Sequence, residues 1–597
     1  MHRSKWGRYF CFVFIALHPL ASQAVDAKSD LRTVAEQSDF KRTGRYDEVI
    51  KLCATFQTAW PTKVRCVEFG RTPEGRPMLA LIVSHDGVLD ARTARERQRP
   101  VVVMQGGIHA GEIDGKDAGF WALPELLDSS SKQSTLSKVT FVFVPVFNVD
   151  GHERFGRWNR PNQIGPEEMG WRTTAQNLNL NRDYVKAEAP EMQAMLRLLN
   201  EWDPILYADL HVTDGADFEH DISINVAPTL VGDPALQQSA VTFRDNVLQQ
   251  LTAKGSLPLP FYPTLLRTDD PTSGFADNIP PPRFSHQYWA LRNRIGVLVE
   301  THSWKDYRTR VRATRNAIVA MLEQAAASGT QWGDAAKAAD QRASELSGKE
   351  VTLAYRNTSH SRTIDFRGYL YTRTPSPISG ALMTKYDSKQ PQLWRVPLYD
   401  EVQAALTVTA PRGGYIVSSA HADIVATKLT LHGIAFIKLD KSRTAVNLQA
   451  FRATKAMPSQ ATNEGRTTLT TEGAWRNETR DIASGSLFVP IAQVKAPLVV
   501  TLMEPPSGDS LLSWGYFNNA FERKEYMEPY VAEQVAVEML AKDAVLKAEF
   551  EKQLTVDSAF AQSPQARLDF FYRRHSSWDE RFNLYPVYRV DIALIDN

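Results

Sequence analysis

Four short apolar runs organise the first half of this chain: Val101 to Met104, residues 139–146, residues 205–210 and residues 294–299. Each is bounded by turn residues and by stretches with helical patterning. Runs of this length and composition predict strands of a mostly parallel sheet with helices over both faces. Such a sheet places its active site in the crevice at the carboxyl ends of its strands. Each run does end in a residue with useful chemistry. The first breaks at Gly106-Gly107 and delivers His109 and Glu112, the second runs into Asn148, the third into His211 and the fourth into Glu300.

Past residue 325 the texture changes. A polar, alanine-rich stretch from about Arg312 to Glu350 predicts a helix and linker, and short β-type runs follow, among them 351–357, 369–373, 404–410 and 414–419. The runs 485–493 and 497–505 continue the series, and residues 522–550 predict one long amphipathic helix. The expected organisation is a signal peptide at 1–24, a catalytic domain at 45–325, a helical linker at 326–350, and a β-rich accessory domain with C-terminal helices at 351–597. Alternating short strands suggest an antiparallel sandwich for the last of these.

The strand-end residues carry a definite chemistry. Two histidines and one carboxylate, with a fourth position open to water, form a catalytic rather than a structural zinc shell. His109, Glu112 and His211 are the candidate ligands. Glu300, closing an otherwise apolar strand, is the candidate group that takes the proton from that water. A lone His-x-x-Glu is common by chance; the ordered set is not.

That ordered set, His109-x-x-Glu112, Asn181-Arg182, His211 and Glu300, resembles the zinc carboxypeptidases related to pancreatic carboxypeptidase A, over roughly residues 45–325. The resemblance implies an α/β fold and one zinc ion held by His109, Glu112 and His211. It also implies a general base at Glu300 and recognition of a substrate's terminal carboxylate by Asn181 and Arg182. A guanidinium binds a carboxylate through two parallel hydrogen bonds, which suits Arg182 to that task. A further arginine polarises the scissile carbonyl in the family; Arg172 is the best match, with Arg157 and Arg160 behind it. The chain departs from the pattern in places. Asn179 stands where the family has an aspartate holding the first zinc histidine. Tyr288 and His286 are the candidates for the family's mobile tyrosine. The sequence around His211 is closer to the amidohydrolase branch of the same superfold. The second half resembles long carboxypeptidase-like proteins exported by Gram-negative bacteria.

Composition adds compartment and partner class. Basic residues, then an apolar core, then Ser22 and Ala24 open the chain as a secretory signal would. Its removal takes away three basic residues and shifts the formal charge from +1 to about −2. A near-neutral chain gives no electrostatic case for nucleic acid, and no later segment is long enough to span a membrane. Cys53 and Cys66 then remain, as one disulfide of an exported protein or as two unrelated thiols. The expectation is a periplasmic or secreted zinc metallocarboxypeptidase acting on peptides. The alternatives are an amidohydrolase acting on acyl-amino acids or cell-wall peptides, and a non-catalytic binding protein. Arg283, Arg292 and Arg294 precede Glu300 and are weighed as selectors of acidic side chains against a role as surface residues.

Overall fold

The computed structural model describes residues 31–128 and 134–593, so the expected signal segment lies outside the described residues. Eight strands build the central sheet: β1 Val64–Arg71, β2 Pro77–Val83, β3 Val101–Gly106, β4 Thr140–Val144, β5 Leu206–Thr213, β6 Ile222–Ala227, β7 Pro258–Leu259 and β8 Ile295–His302. Their spatial order is β1-β2-β4-β3-β5-β8-β6-β7. The four apolar runs become β3, β4, β5 and β8, which are mutually parallel and adjacent. Antiparallel pairings bring in β2 on one side and β6 on the other. Every position of β3, β4, β5 and β8 is buried, so helices and loops cover both faces.

The parallel register sets the site. His211 on β5 pairs with Glu300 on β8, and Gly106 at the end of β3 pairs with Leu210. The chain then turns through Gly107, at φ +61, a backbone region glycine enters without steric cost. Glu112 closes the next turn with its N–H on the His109 carbonyl, 2.9 Å away. The helix Asp114–Asp128 follows.

A buried ion pair locks this loop to β8. The Asp114 carboxylate accepts from Thr301 Oγ1 at 2.8 Å and from Arg310 Nε at 3.0 Å. The other nitrogens of Arg310 donate to the carbonyls of Ile164, Lys305 and Gly165. Arg310 lies on the helix Tyr307–Ala343, which runs without interruption past residue 325. Its later turns stay on the N-terminal half: Trp332 packs edge-on against Phe243, and Asp340 bonds Asn293 and Arg294.

The C-terminal half differs in detail from the expected sandwich of short strands. Its strands reach 18 residues, and they are distributed over three sheets. A pair joins Glu350–Asn357 to Val402–Thr409. A long hairpin, Arg362–Pro375 with Leu382–Tyr399, recruits Phe275–Ala276 from the N-terminal half as its third strand. A six-stranded sheet contains the hairpin Arg443–Pro458 with Leu469–Ile482. The run at 497–505 forms a helix, Ala496–Met503, not a strand. A short, mostly apolar run carries too little period to distinguish the two, and Pro497 starts a helix well. Residues 522–550 are not one helix either. Helix begins at Pro529, breaks after Lys542, and restarts under a cap from Asp543 to the amides of Val545 and Leu546.

The two halves share one apolar core, in which buried residues run from Leu31 to Val587. Cys53 and Cys66 form a disulfide that ties the helix Tyr46–Ala59 to β1. Lys495 also crosses the boundary, donating to the His432 carbonyl at 2.8 Å and to Asn200 Oδ1 at 3.3 Å. Burial, with the nearby charge of Arg292, pushes its ammonium down to about 7.

Two outcomes follow. Arg310→Met leaves Asp114 buried without its counter-charge and is expected to cost about 3–5 kcal/mol in urea unfolding. Between pH 7 and the ordinary lysine range, the unfolded chain carries the Lys495 proton and the folded chain does not, so folding is favoured as pH rises. Lys495→Met should therefore flatten the gain in stability between pH 7 and 9.5, measured by the same unfolding experiment.

Candidate active site

His109, Glu112 and His211 meet at the carboxyl end of β3 and β5. Three potential ligand atoms, one from each, lie within 4.8 Å of one another. Both histidines turn Nδ1 inward: His109 Nδ1 is 3.0 Å from Glu112 Oε1, and His211 Nδ1 is 3.0 Å from Glu112 Oε2. Both Nε2 atoms are held from behind. His109 Nε2 lies 3.1 Å from Asn179 Oδ1, and His211 Nε2 lies 2.8 Å from Asp209 Oδ2. Such outer partners fix the ring orientation and leave the inner nitrogen as a ligand. An amide oxygen stands behind one ring and a carboxylate behind the other, so the two histidines are electronically unequal.

The electrostatics follow from burial. Burial pushes the His109 imidazole down to about 4, against the pull of Glu112, so it is neutral and able to donate a lone pair. Burial alone would raise Glu112, but the charge of Arg160 and the two histidines hold it well below the usual carboxylate range. His211 is driven up by Asp209 and Glu112 in spite of its burial. Burial raises Glu300 to about 8, opposed by His211 and reinforced by Glu112 and Asp209. Two nitrogens and a carboxylate converging on one point, with second partners already engaged, fit a zinc ion by donor type and number.

These groups line a cavity of about 450 Å³ that also takes in Glu300, Arg172, Asn181 and Arg182. His109, Glu112, Arg172, Asn181, Arg182, His211 and Glu300 thus face one space. Glu300 Oε2 is buried with no hydrogen-bond partner among the described residues. Asn181 Oδ1 accepts from the Ser285 N–H at 3.2 Å, which leaves its NH₂ group as a donor. Arg182 stacks on the Phe284 ring, 4.2 Å from its centroid, and one guanidinium nitrogen donates to the Asn181 carbonyl.

The three candidate arginines separate clearly. Arg157 lies over the exposed Trp158 ring and is absent from the cavity lining. Arg160 and Arg172 both reach Glu112 Oε1, at 2.8 and 3.2 Å. The Arg160 side chain is 9% exposed and also donates to the Val212 carbonyl, whereas that of Arg172 is 39% exposed. Arg172 is the more available to a ligand.

Tyr288 does not reach the cavity; it is buried, with its hydroxyl 2.8 Å from His432 Nδ1. His286 lines the cavity. Tyr262 also lines it, accepting a hydrogen bond from Thr213 Oγ1. Sequence reading missed Tyr262 because it lies farther upstream of Glu300 than the searched interval, in a stretch without regular periodicity. Arg283, Arg292 and Arg294 are not among the lining residues. Arg283 pairs with Asp509, Arg292 stacks on Trp289, and Arg294 pairs with Asp203 and Asp340.

Residues 49–219 match the family model of the zinc carboxypeptidases. An inactive metallocarboxypeptidase of Saccharomyces cerevisiae is 34% identical over 124 residues, 19% of this chain and 28% of that protein. A carboxypeptidase B of Helicoverpa zea is 28% identical over 113 residues, 18% of this chain and 25% of that protein. The chain thus spans about a quarter of the length of these curated relatives. The solved carboxypeptidase A of Helicoverpa armigera is 17% identical, with a TM-score of 0.34 over 48% of this chain and 75% of that one. Over residues 49–219 this chain is similar to the zinc carboxypeptidase family.

Proposed function

We propose that this protein is a zinc-dependent carboxypeptidase that hydrolyses the C-terminal amide bond of peptides. The observation that carries the reading is the pairing of His211 with Glu300 across β5 and β8. It brings an unpartnered, buried carboxylate oxygen to the same cavity as the His109–Glu112–His211 cluster. His109 Nδ1, the Glu112 carboxylate and His211 Nδ1 would hold the ion. When bound, zinc would polarise the scissile carbonyl and lower the pKa of water towards neutrality.

The chain's own groups do the rest. Arg182 and the Asn181 NH₂ bind the substrate's terminal carboxylate, so the last peptide bond is the one presented for cleavage. In its ionised form Glu300 accepts the proton of the attacking water at Oε2 and passes it to the leaving amine. Arg172 donates to the carbonyl oxygen as it gains negative charge. Ile279, Pro280 and Phe284 add apolar surface to the cavity. The signal-like N-terminus and the Cys53–Cys66 disulfide support a periplasmic or secreted location. Among the described residues, no helix is long and apolar enough to cross a membrane.

Elemental analysis of wild type should find about one zinc ion per chain, and His109→Ala should lose it. Mass spectrometry of peptide digests should show stepwise shortening from the C-terminus. Zinc without shortening would favour an amidohydrolase acting on acyl-amino acids or a binding protein, and no zinc would sink the reading. Glu300→Gln should retain zinc while kcat falls roughly 10²–10⁴-fold. Arg182→Ala should lower kcat/KM about 10–100-fold, chiefly through KM, and leave zinc content unchanged.

A further inference from the structure

The loop that carries Asn179, Asn181 and Arg182, and the segment after it, are bonded to the C-terminal half at several points. The Val185 carbonyl accepts from His432 Nε2 at 2.8 Å. The Lys186 carbonyl accepts from Lys428 Nζ at 2.6 Å and from the Tyr516 hydroxyl at 3.1 Å. Glu188 pairs with Arg466, whose guanidinium lies 3.7 Å from the Tyr516 ring centroid. Nearest the cavity, the Asn179 N–H donates to Glu464 Oε2 at 2.9 Å.

Glu464 stands at the tip of the hairpin formed by Arg443–Pro458 and Leu469–Ile482, in a turn closed by the Asn463–Arg466 bridge. Its φ is +47 and that of Gly465 is +77. Two successive left-handed residues at a hairpin tip favour Asn-Gly or Asp-Gly. A glutamate there strains the backbone, and such strain persists where the surrounding structure has a use for it. The use is visible one bond away. Asn179 Oδ1 accepts from His109 Nε2 at 3.1 Å and from the Asn181 N–H at 3.0 Å. One carboxylate from the C-terminal half therefore anchors the residue that orients both a candidate ligand and the start of the Asn-Arg pair. Glu464 is also close enough for its charge to act on the Arg182 guanidinium.

We propose that Glu464 is a positioning residue of the active site. By fixing Asn179, it sets the loop that presents Asn181 and Arg182, which makes the C-terminal half part of the carboxylate-binding machinery. This inference rests on the carboxypeptidase reading for its meaning, but its test does not depend on that reading alone.

The test compares full-length wild type, Glu464→Ala and Glu464→Gln. Hydrogen–deuterium exchange of the segment 178–183, read by mass spectrometry, should be roughly tenfold faster in Glu464→Ala, because the Asn179 amide loses its acceptor. Glu464→Gln retains an amide oxygen there and should exchange at the wild-type rate. On a peptide with a free C-terminal carboxylate, Glu464→Ala should raise KM about tenfold and change kcat by less than about threefold, and Glu464→Gln should restore KM. Exchange in Glu464→Ala within about twofold of wild type overturns the proposal, as does Glu464→Gln exchanging as fast as Glu464→Ala. Faster exchange with unchanged KM in an active enzyme also overturns it, since the bond would then serve folding only. Wild type that cleaves no peptide removes the carboxypeptidase reading, while the exchange rates still decide whether Glu464 fixes the loop.

Discussion

The parallel register of β3, β5 and β8 is the constraint on which the rest of this structure depends. A one-residue slip in a strand sends every side chain to the opposite face of the sheet. With His211 opposite Glu300 and Leu210 opposite Gly106, the strand ends release their polar residues towards one cavity while the residues before them stay buried. The buried Asp114–Arg310 pair reinforces that register from below. It joins the helix after Glu112 to Thr301, the residue after Glu300. Charge is concentrated here because the fold supplies counter-charges. Glu112, deeply buried, is surrounded by Arg160, Arg172 and two histidines, and an unpaired carboxylate at such a site would be costly.

The second constraint is the seam between the halves. A carboxylate-binding site needs its guanidinium held in place before the ligand arrives, because ordering a long side chain and its loop on binding costs affinity. Arg182 stacks on Phe284, and the neighbouring Arg283 is fixed by Asp509, the Gly508 carbonyl and Trp514 of the C-terminal half. The loop before it is bonded to His432, Lys428, Tyr516 and Glu464. The aromatic-rich stretch after residue 513 serves this packing, with Trp514 and Phe517 buried.

Much of the site was legible from sequence because its residues sit at ends of strongly apolar strands, a local pattern that survives folding unchanged. His109, Glu112, His211 and Glu300 each follow such a run, and Asn181-Arg182 is a contiguous pair. The C-terminal half was less legible. Its long strands are half-exposed and interrupted by bulges, so their alternation is broken, and one apolar run there formed a helix.

By itself, then, the sequence determined the α/β layout of the N-terminal half, the order of its strand ends and the chemical types that can gather there. Those properties depend on the hydrophobic period and on side-chain chemistry, both written along the chain. Tertiary structure decided which arginines reach Glu112, that Tyr262 rather than Tyr288 enters the cavity, and that Glu464 holds Asn179. Glu464 and Asn179 lie 285 positions apart along the chain. Contacts of that kind arise only when strand register, helix packing and a hairpin tip are fixed together, and no local pattern encodes their sum.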